Sequence, residues 1–150
     1  MGQHVLYQFT RTRQILKGTL EGLSPELLDV IPEGFNNNIH WQVGHILKTA
    51  EFFLFTGVET LPENYQQLFG PGSKPTEWPA DVPSVEALLE QLDDQLERIQ
   101  QVDVETFNEK LANPMLGCET KGEFVAFGAF HESFHLGQIH ILKRLVTSSK

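Results

Sequence analysis

The stretch "SVEALLEQLDDQLERIQQV", residues 84–102, constrains the fold more than any other part of the chain. Val85, Leu88, Leu89, Leu92, Leu96, Ile99 and Val102 recur at three- and four-residue steps. At 100° per residue they line one face of an α-helix and leave the other face to Glu, Asp, Gln and Arg. Such a helix cannot bury its stripe alone, so it needs other helices to pack against. Three further long segments carry helical spacing. They are "HVLYQFTRTRQILKGTLEGL" (4–23), "NNIHWQVGHILKTAEFFLFTG" (37–57) and "KGEFVAFGAFHESFHLGQIHILKRLV" (121–146). The second of these is apolar nearly all round, which predicts a buried helix with an asparagine cap and a terminal Gly57. The short unit "SPELLDVIPEG" opens on a Ser-Pro helix signal and stops at Pro32 and Gly34, so one or two turns are expected there. No segment shows sustained period-two alternation, so strands are not required and the expected fold class is all-α.

Residues 58–83, "VETLPENYQQLFGPGSKPTEWPADVP", hold five of the chain's eight prolines. The segment is too long for a tight turn between antiparallel helices. A helix of about 20 residues is about 30 Å long, and an extended chain covers up to about 3.3 Å per residue. The expectation is a crossover joining parallel second and third long helices. Residues 1–150 read as a single domain, because the length suits one core and neither a repeat nor a low-complexity tract divides it.

Composition narrows the function classes. At 40% hydrophobic residues the chain can bury a core. A formal net charge of −9 argues against a nucleic-acid binder and against docking on anionic membranes. No apolar run has the length to cross a bilayer, and "MGQHVLYQFTRTRQILKG" lacks the basic-then-apolar order of a secretory signal. Leu6 also breaks the myristoylation pattern. A cytoplasmic protein is the expectation. Cys118 is the single cysteine, which excludes an intrachain disulfide and a cysteine-based zinc site.

Three of the six histidines fall in "FHESFHLGQIH", residues 130–140. With His131 as the reference direction, Phe124, Phe127, Phe134, His135, Gln138, Leu142 and Leu145 fall within about 60° of it. His140, Glu132, Lys143 and Arg144 point away, as does the apolar Leu136. His131 and His135 thus share the face read as inward. Their i, i+4 spacing lets two imidazoles reach one divalent ion. His45 in the buried-looking helix is the natural third ligand, with Trp41 and Phe52 on its own face. His40 lies roughly 140° from it. The bland alternative stays open on spacing alone, since paired core histidines can bond to carbonyls or to Glu. His4, His40 and His140 read as terminal or surface residues. Gln138 could orient a ligand histidine or a metal-bound water, or be a core amide bonded to a neighbouring helix.

With these residues in view, the chain resembles the DinB/YfiT-like superfamily. The resemblance is carried by "NNNIHWQVGHILKTAEFF", by "HESFHLGQIHILKRL" and by the connection "LPENYQQLFGPG…W…VPSVEALLEQL", and so spans nearly the whole chain. The pair Trp-x-x-Gly-His and His-x3-His-x-Gly-Gln is its most specific part. The resemblance implies a four-helix bundle with a crossover, often dimeric. It also implies a divalent metal, commonly nickel or zinc, held by three histidines, here His45, His131 and His135. Some members are S-transferases that use a low-molecular-weight thiol, and others are described as metal-dependent hydrolases.

Three neutral imidazoles leave a divalent ion its full charge and at least one open position. A bound water or a bound thiol would lose its proton more readily there. The leading expectation is a metal-dependent S-transferase joining a low-molecular-weight thiol to a small electrophile, because it asks fewest further residues of the protein. A hydrolase of a small amide or ester, or a metal-binding interaction module without turnover, are the alternatives. Partners expected are a small-molecule substrate and a second copy in a homodimer, with neither nucleic acid nor membrane. Glu51 and Glu132 read as surface charges pointing about 100–120° from the nearby histidines. Arg11 and Arg13 are candidates for the mouth of an anionic-thiol site. Cys118, in a segment read as loop, is read as structural or incidental. Tyr65, Phe69 and Trp78 in the long connection read either as a wall over the metal or as anchors for the loop.

Overall fold

The computed structural model describes residues 2–148. It is mostly helical, and the all-α class holds. Six α-helices follow in order: α1 (Gly2–Leu20), α2 (Pro25–Leu28), α3 (Ile39–Phe55), α4 (Tyr65–Phe69), α5 (Val85–Gln100) and α6 (Lys121–Thr147). The long helices start where the sequence supplies an oxygen for orphan N–H groups. Asn38 accepts from the Trp41 N–H at 2.8 Å and Ser84 from the Ala87 N–H at 3.1 Å. Thr120 and Glu123 form a reciprocal capping box at the start of α6. Each cap is worth about 1 kcal/mol. α1 stops at Leu20, three residues before the expected end, because Gly22 takes a left-handed φ of 79° just beyond it.

Side-chain bonds give the helix directions. His40 meets the Pro83 carbonyl, Gln95 donates to the Leu47 carbonyl, and Arg98 reaches Glu51, so α3 and α5 advance together. Arg13 meets Glu132 and Thr19 meets His140, so α1 and α6 also run parallel. Gln42 meets Gln138 and Thr49 meets His131, so α3 opposes α6. α1 packs on α5 and α6, and α3 packs on the same two. The main core lies between them and includes the fully buried Leu16, Ile39, Ile46, Leu47, Leu88, Ile139 and Leu142. Among the described residues, no helix is long and apolar enough to cross a membrane.

Residues 58–83 are a connection with structure of its own. It contains α4 and a 3-10 turn at Pro75–Glu77. Its aromatic residues pin it down. Phe69 is wholly buried, Tyr65 donates to Gln91 at 2.7 Å, and the Trp78 indole donates to the Leu68 carbonyl at 2.8 Å.

Two features differ from the sequence expectation. Residues expected as loop form a β-hairpin, β1 (Lys110–Met115) against β2 (Cys118–Thr120). Leu116 and Gly117 make its turn with φ of 54° and 76°. Both values are positive, as in the tight hairpin turns whose twist matches paired strands. Period-two reading misses this hairpin because β1 is exposed along nearly all its length, is irregular in register and contains Pro114. Cys118 accordingly lies in a strand and is buried.

The second difference is the orientation of α6. Phe134 and Leu145, read as inward, are 56% and 41% exposed, whereas Leu136, read as outward, is 8% exposed. The buried arc runs through Val125, Ala129, Glu132, Leu136, Ile139 and Val146 and is centred roughly 80° from His131. His131 therefore marks the edge of the buried face. His135 lies inside that edge and is buried, while His131 is half-buried.

Candidate metal centre

Two close helix contacts build the site. Gly44 packs against the ring of Phe69, and a Cβ added at Gly44 would stand 2.2 Å from it. Only glycine lets α4 come this near to α3, and the approach sets the Phe69 carbonyl 2.7 Å from His45 Nδ1. Gly128 allows a similar approach of α6 to Phe53, whose ring centroid lies 5.8 Å from that of His131.

His45, His131 and His135 come together. One potential ligand atom from each lies within 4.8 Å of the others. A carbonyl oxygen can only accept, so the Phe69 contact fixes the proton of His45 on Nδ1 and leaves Nε2 with its lone pair. His135 Nδ1 donates to Gln42 Oε1 at 2.7 Å. The Gln42 amide in turn donates to Gln138 Oε1 at 2.7 Å and to Asn37 Oδ1 at 3.1 Å. His131 Nδ1 faces the Thr49 hydroxyl oxygen at 3.5 Å, and that hydroxyl donates to the His45 carbonyl at 2.7 Å. All three Nδ1 atoms thus point at protein oxygens.

The Nε2 atoms of His131 and His135 then face each other at 3.1 Å. At that distance one imidazole N–H can donate to the other ring's lone pair, and a divalent ion that displaces this proton would find both nitrogens already turned to it. Nitrogens bound at about 2.0–2.1 Å to a tetrahedral ion stand about 3.3 Å apart. His131 and His135 already stand near that separation, and with all three ligand atoms within 4.8 Å of one another the donor set suits one divalent ion.

Burial holds these rings neutral. His45 is lowered to about 4 and His135 to about 3, first by desolvation and then by repulsion among the neighbouring imidazoles. The Phe69 carbonyl opposes part of the shift at His45. His131 is lowered by desolvation alone. Trp41 stacks on His45 with centroids 4.5 Å apart and planes 13° from parallel, and its indole donates to Ser73 at 2.8 Å. The stack shields one face of a ligand ring from water.

The other candidates separate clearly. Gln138 reaches His135 by hydrogen bonding through Gln42: it accepts from the amide whose oxygen holds His135 Nδ1. His140 is exposed, as expected. His40 is not: it is 8% exposed and bonds Asp29 and the Pro83 carbonyl, each at 2.7 Å. It ties the start of α3 to the residue closing α2 and to the approach of α5. Glu51 and Glu132, read as surface charges, are each 2% exposed. Arg13 holds Glu132 through two nitrogens, at 2.6 and 3.1 Å, and Arg98 holds Glu51 at 2.9 and 3.0 Å. Wheel angles missed both carboxylates because the true buried arc is wider than the histidine face. Arg13 is consumed by this pairing and is not at a mouth. Burial, and secondarily Glu123, push the Cys118 thiol up, away from nucleophilic use.

A helical protein with a three-imidazole cluster able to hold one metal ion is the class that fold and site define. The chain matches the DinB superfamily over residues 8–139 and belongs to that family. No curated protein matches it.

Proposed function

We propose that this protein is a DinB-type four-helix bundle with a crossover, and that His45, His131 and His135 bind one divalent ion, nickel or zinc. The reaction proposed is the transfer of a low-molecular-weight thiol to a small electrophile. The observation that carries the metal reading is the set of three Nδ1 atoms turned to protein oxygens, with one ligand atom of each ring within 4.8 Å of the others and the Nε2 atoms of His131 and His135 3.1 Å apart. Histidine ligands of metals are oriented by a partner on the second nitrogen in this way.

The choice of a thiol over water rests on what surrounds the cluster. Both nearby carboxylates are occupied by arginines, so neither is free to shuttle a proton for hydrolysis. A thiol needs no such shuttle. A divalent ion held by three neutral ligands supplies the positive charge that lowers a thiol's pKa. The sulfur attacks the electrophilic carbon, a C–S bond forms, the leaving group departs with its bonding electrons, and the thiol proton passes to solvent. Gln42 and the Phe69 carbonyl hold the ligand rings in orientation, and Trp41 keeps water from one side of His45.

We further propose a cytoplasmic homodimer acting on a small molecule, with neither nucleic acid nor membrane as partner. Support for the dimer is a line of exposed apolar residues on α6, with Phe130 61%, Phe134 56% and Ile141 50% exposed.

Metal analysis of purified, reloaded protein tests the reading. About one ion per chain is expected for the wild type and none for His131→Ala. Absence of stoichiometric metal in the wild type overturns it. Metal-dependent consumption of thiols, assayed with a generic electrophile, then separates transfer from hydrolysis.

A further inference from the structure

We propose that the cavity between the hairpin, the C-terminal end of α3 and the N-terminal end of α6 binds a small, uncharged, ring-bearing molecule. It deepens the transferase reading, because it gives the electrophile an apolar body and a place one ring away from His131.

The cavity is about 410 Å³, within the roughly 300–1,000 Å³ of small-molecule pockets. Phe52, Phe53, Phe107, Phe124, Leu111 and Met115 line it. Aromatic walls favour a ring through edge and offset contacts. Lys121 is the one charged residue among those lining it, and it is engaged by Glu109. Nothing else on the wall compensates a ligand charge. Thr56, Thr106 and Asn113 offer polar atoms to orient an uncharged group.

The walls are held in place rather than collapsed. Gly2 and Gly122 pack so closely on the 3-10 segment Val104–Asn108 that an added Cβ would stand 2.7 Å from Val104 and 2.9 Å from Phe107. On the opposite side, Phe53 and Phe124 form a cluster with the buried Cys118, closing the hairpin onto α3 and α6. A preformed apolar recess lowers the ordering cost of binding.

None of the three histidines lines this cavity. Phe53 links the two: it forms the cavity's inner wall and its centroid lies 5.8 Å from that of His131. A molecule resting against Phe53 is therefore one ring from the metal ligands. In the transferase reading this neighbourhood selects an electrophile with an aromatic or branched apolar portion.

The test is titration of metal-free protein with N-phenyl-1-naphthylamine, whose fluorescence rises in apolar surroundings. One equivalent is expected to bind saturably. Ala112→Trp on the hairpin and Val58→Trp after α3 should each weaken binding at least tenfold while the Tm is retained. Phe130→Ser combined with Phe134→Ser on α6 should leave it unchanged. Bound probe should also move the ring NMR signals of His131 and leave those of His140 in place. Undiminished binding in both tryptophan variants, loss of binding in the α6 variant, or unmoved His131 signals each overturn the proposal. Because the titration needs no metal, its failure is distinct from failure of the metal reading, which the metal analysis alone decides.

Discussion

Two buried polar clusters lie within this helical core, and they are satisfied in different ways. The first runs from Glu132 on α6 through Arg13 on α1 and Gln95 on α5 to Glu51 on α3 and back to Arg98 on α5. Each charge in it meets an opposite charge, and Arg13 also donates to the Leu92 carbonyl at 2.9 Å. The second is the histidine cluster, in which the outward nitrogens are bonded and two inward ones oppose each other at 3.1 Å. The first cluster is complete with protein atoms alone. The second pairs imidazole with imidazole across a 3.1 Å contact whose proton a cation can replace. The contrast separates a polar group that fixes the register of packed helices from one arranged to bind.

The largest effect should come from breaking the complete cluster. Arg13→Met leaves the Glu132 carboxylate buried without its partner, at a cost of roughly 3–5 kcal/mol. Denaturant melting should report it. The double variant Arg13→Met with Glu132→Leu should recover most of the loss, since it removes both charges together. If the double variant is as unstable as the single, the pair is not the self-sufficient unit described.

The pH response of metal-free protein should come next in size and should arise from the histidines. Their folded-state pKa values lie below the unfolded value, so the unfolded chain binds protons first as pH falls. Stability should be full above about pH 6.5 and decline as pH falls towards about 4 and about 3, the values to which His45 and His135 are lowered. His45 alone accounts for at most roughly 3 kcal/mol, at 1.36 kcal/mol per pKa unit. Melting in the presence of a chelator from pH 7.5 to 4.5 measures the slope. His45→Leu with His135→Leu should flatten it across that window. An unchanged slope would assign the acid response to carboxylates instead.

The third test weakens the histidine cluster without touching a ligand. Gln42→Leu removes the acceptor of His135 Nδ1 and frees the ring to turn. Metal affinity should fall about 10–100-fold, the usual cost of losing such a partner. Competition with a chromophoric chelator reads it. An affinity within threefold of wild type would mean that packing by Trp41, 6.4 Å from His135 between ring centroids, orients the ring instead.

What the sequence revealed follows the same division. Helical spacing located the four long helices, because stripes such as Leu88, Leu92 and Ile99 must be buried. The three histidines were legible because i, i+4 spacing and a matching Trp-x-x-Gly-His segment constrain direction. The reason for the glycine was not legible: it lies in Phe69, on a different helix and 25 positions along the chain. Gln42 was invisible for a similar cause. It reads as one polar residue in an apolar helix until α6 is laid beside it. Glu132 and Glu51 were misread because angles were measured from the histidines rather than from the centre of burial. The hairpin escaped because exposed strands need no apolar alternation.

The smallest expected effect concerns Gln138, the polar residue beside the histidine face whose role the sequence left divided. It reaches His135 through one intermediary, accepting from the same Gln42 amide that Asn37 Oδ1 also engages. In Gln138→Leu the amide keeps one of its two acceptors, so Gln42 should hold its orientation in most molecules. Metal affinity should fall by less than about fivefold, under roughly 1 kcal/mol, well short of the Gln42→Leu loss. Adding Gln138→Leu to Gln42→Leu should then cost almost nothing more, because a residue acting only through Gln42 has no path left when Gln42 is gone. A further additive loss in the double variant would show that Gln138 also contacts the metal's own ligands or its bound molecule, and would move it from the scaffold of the site into the site itself.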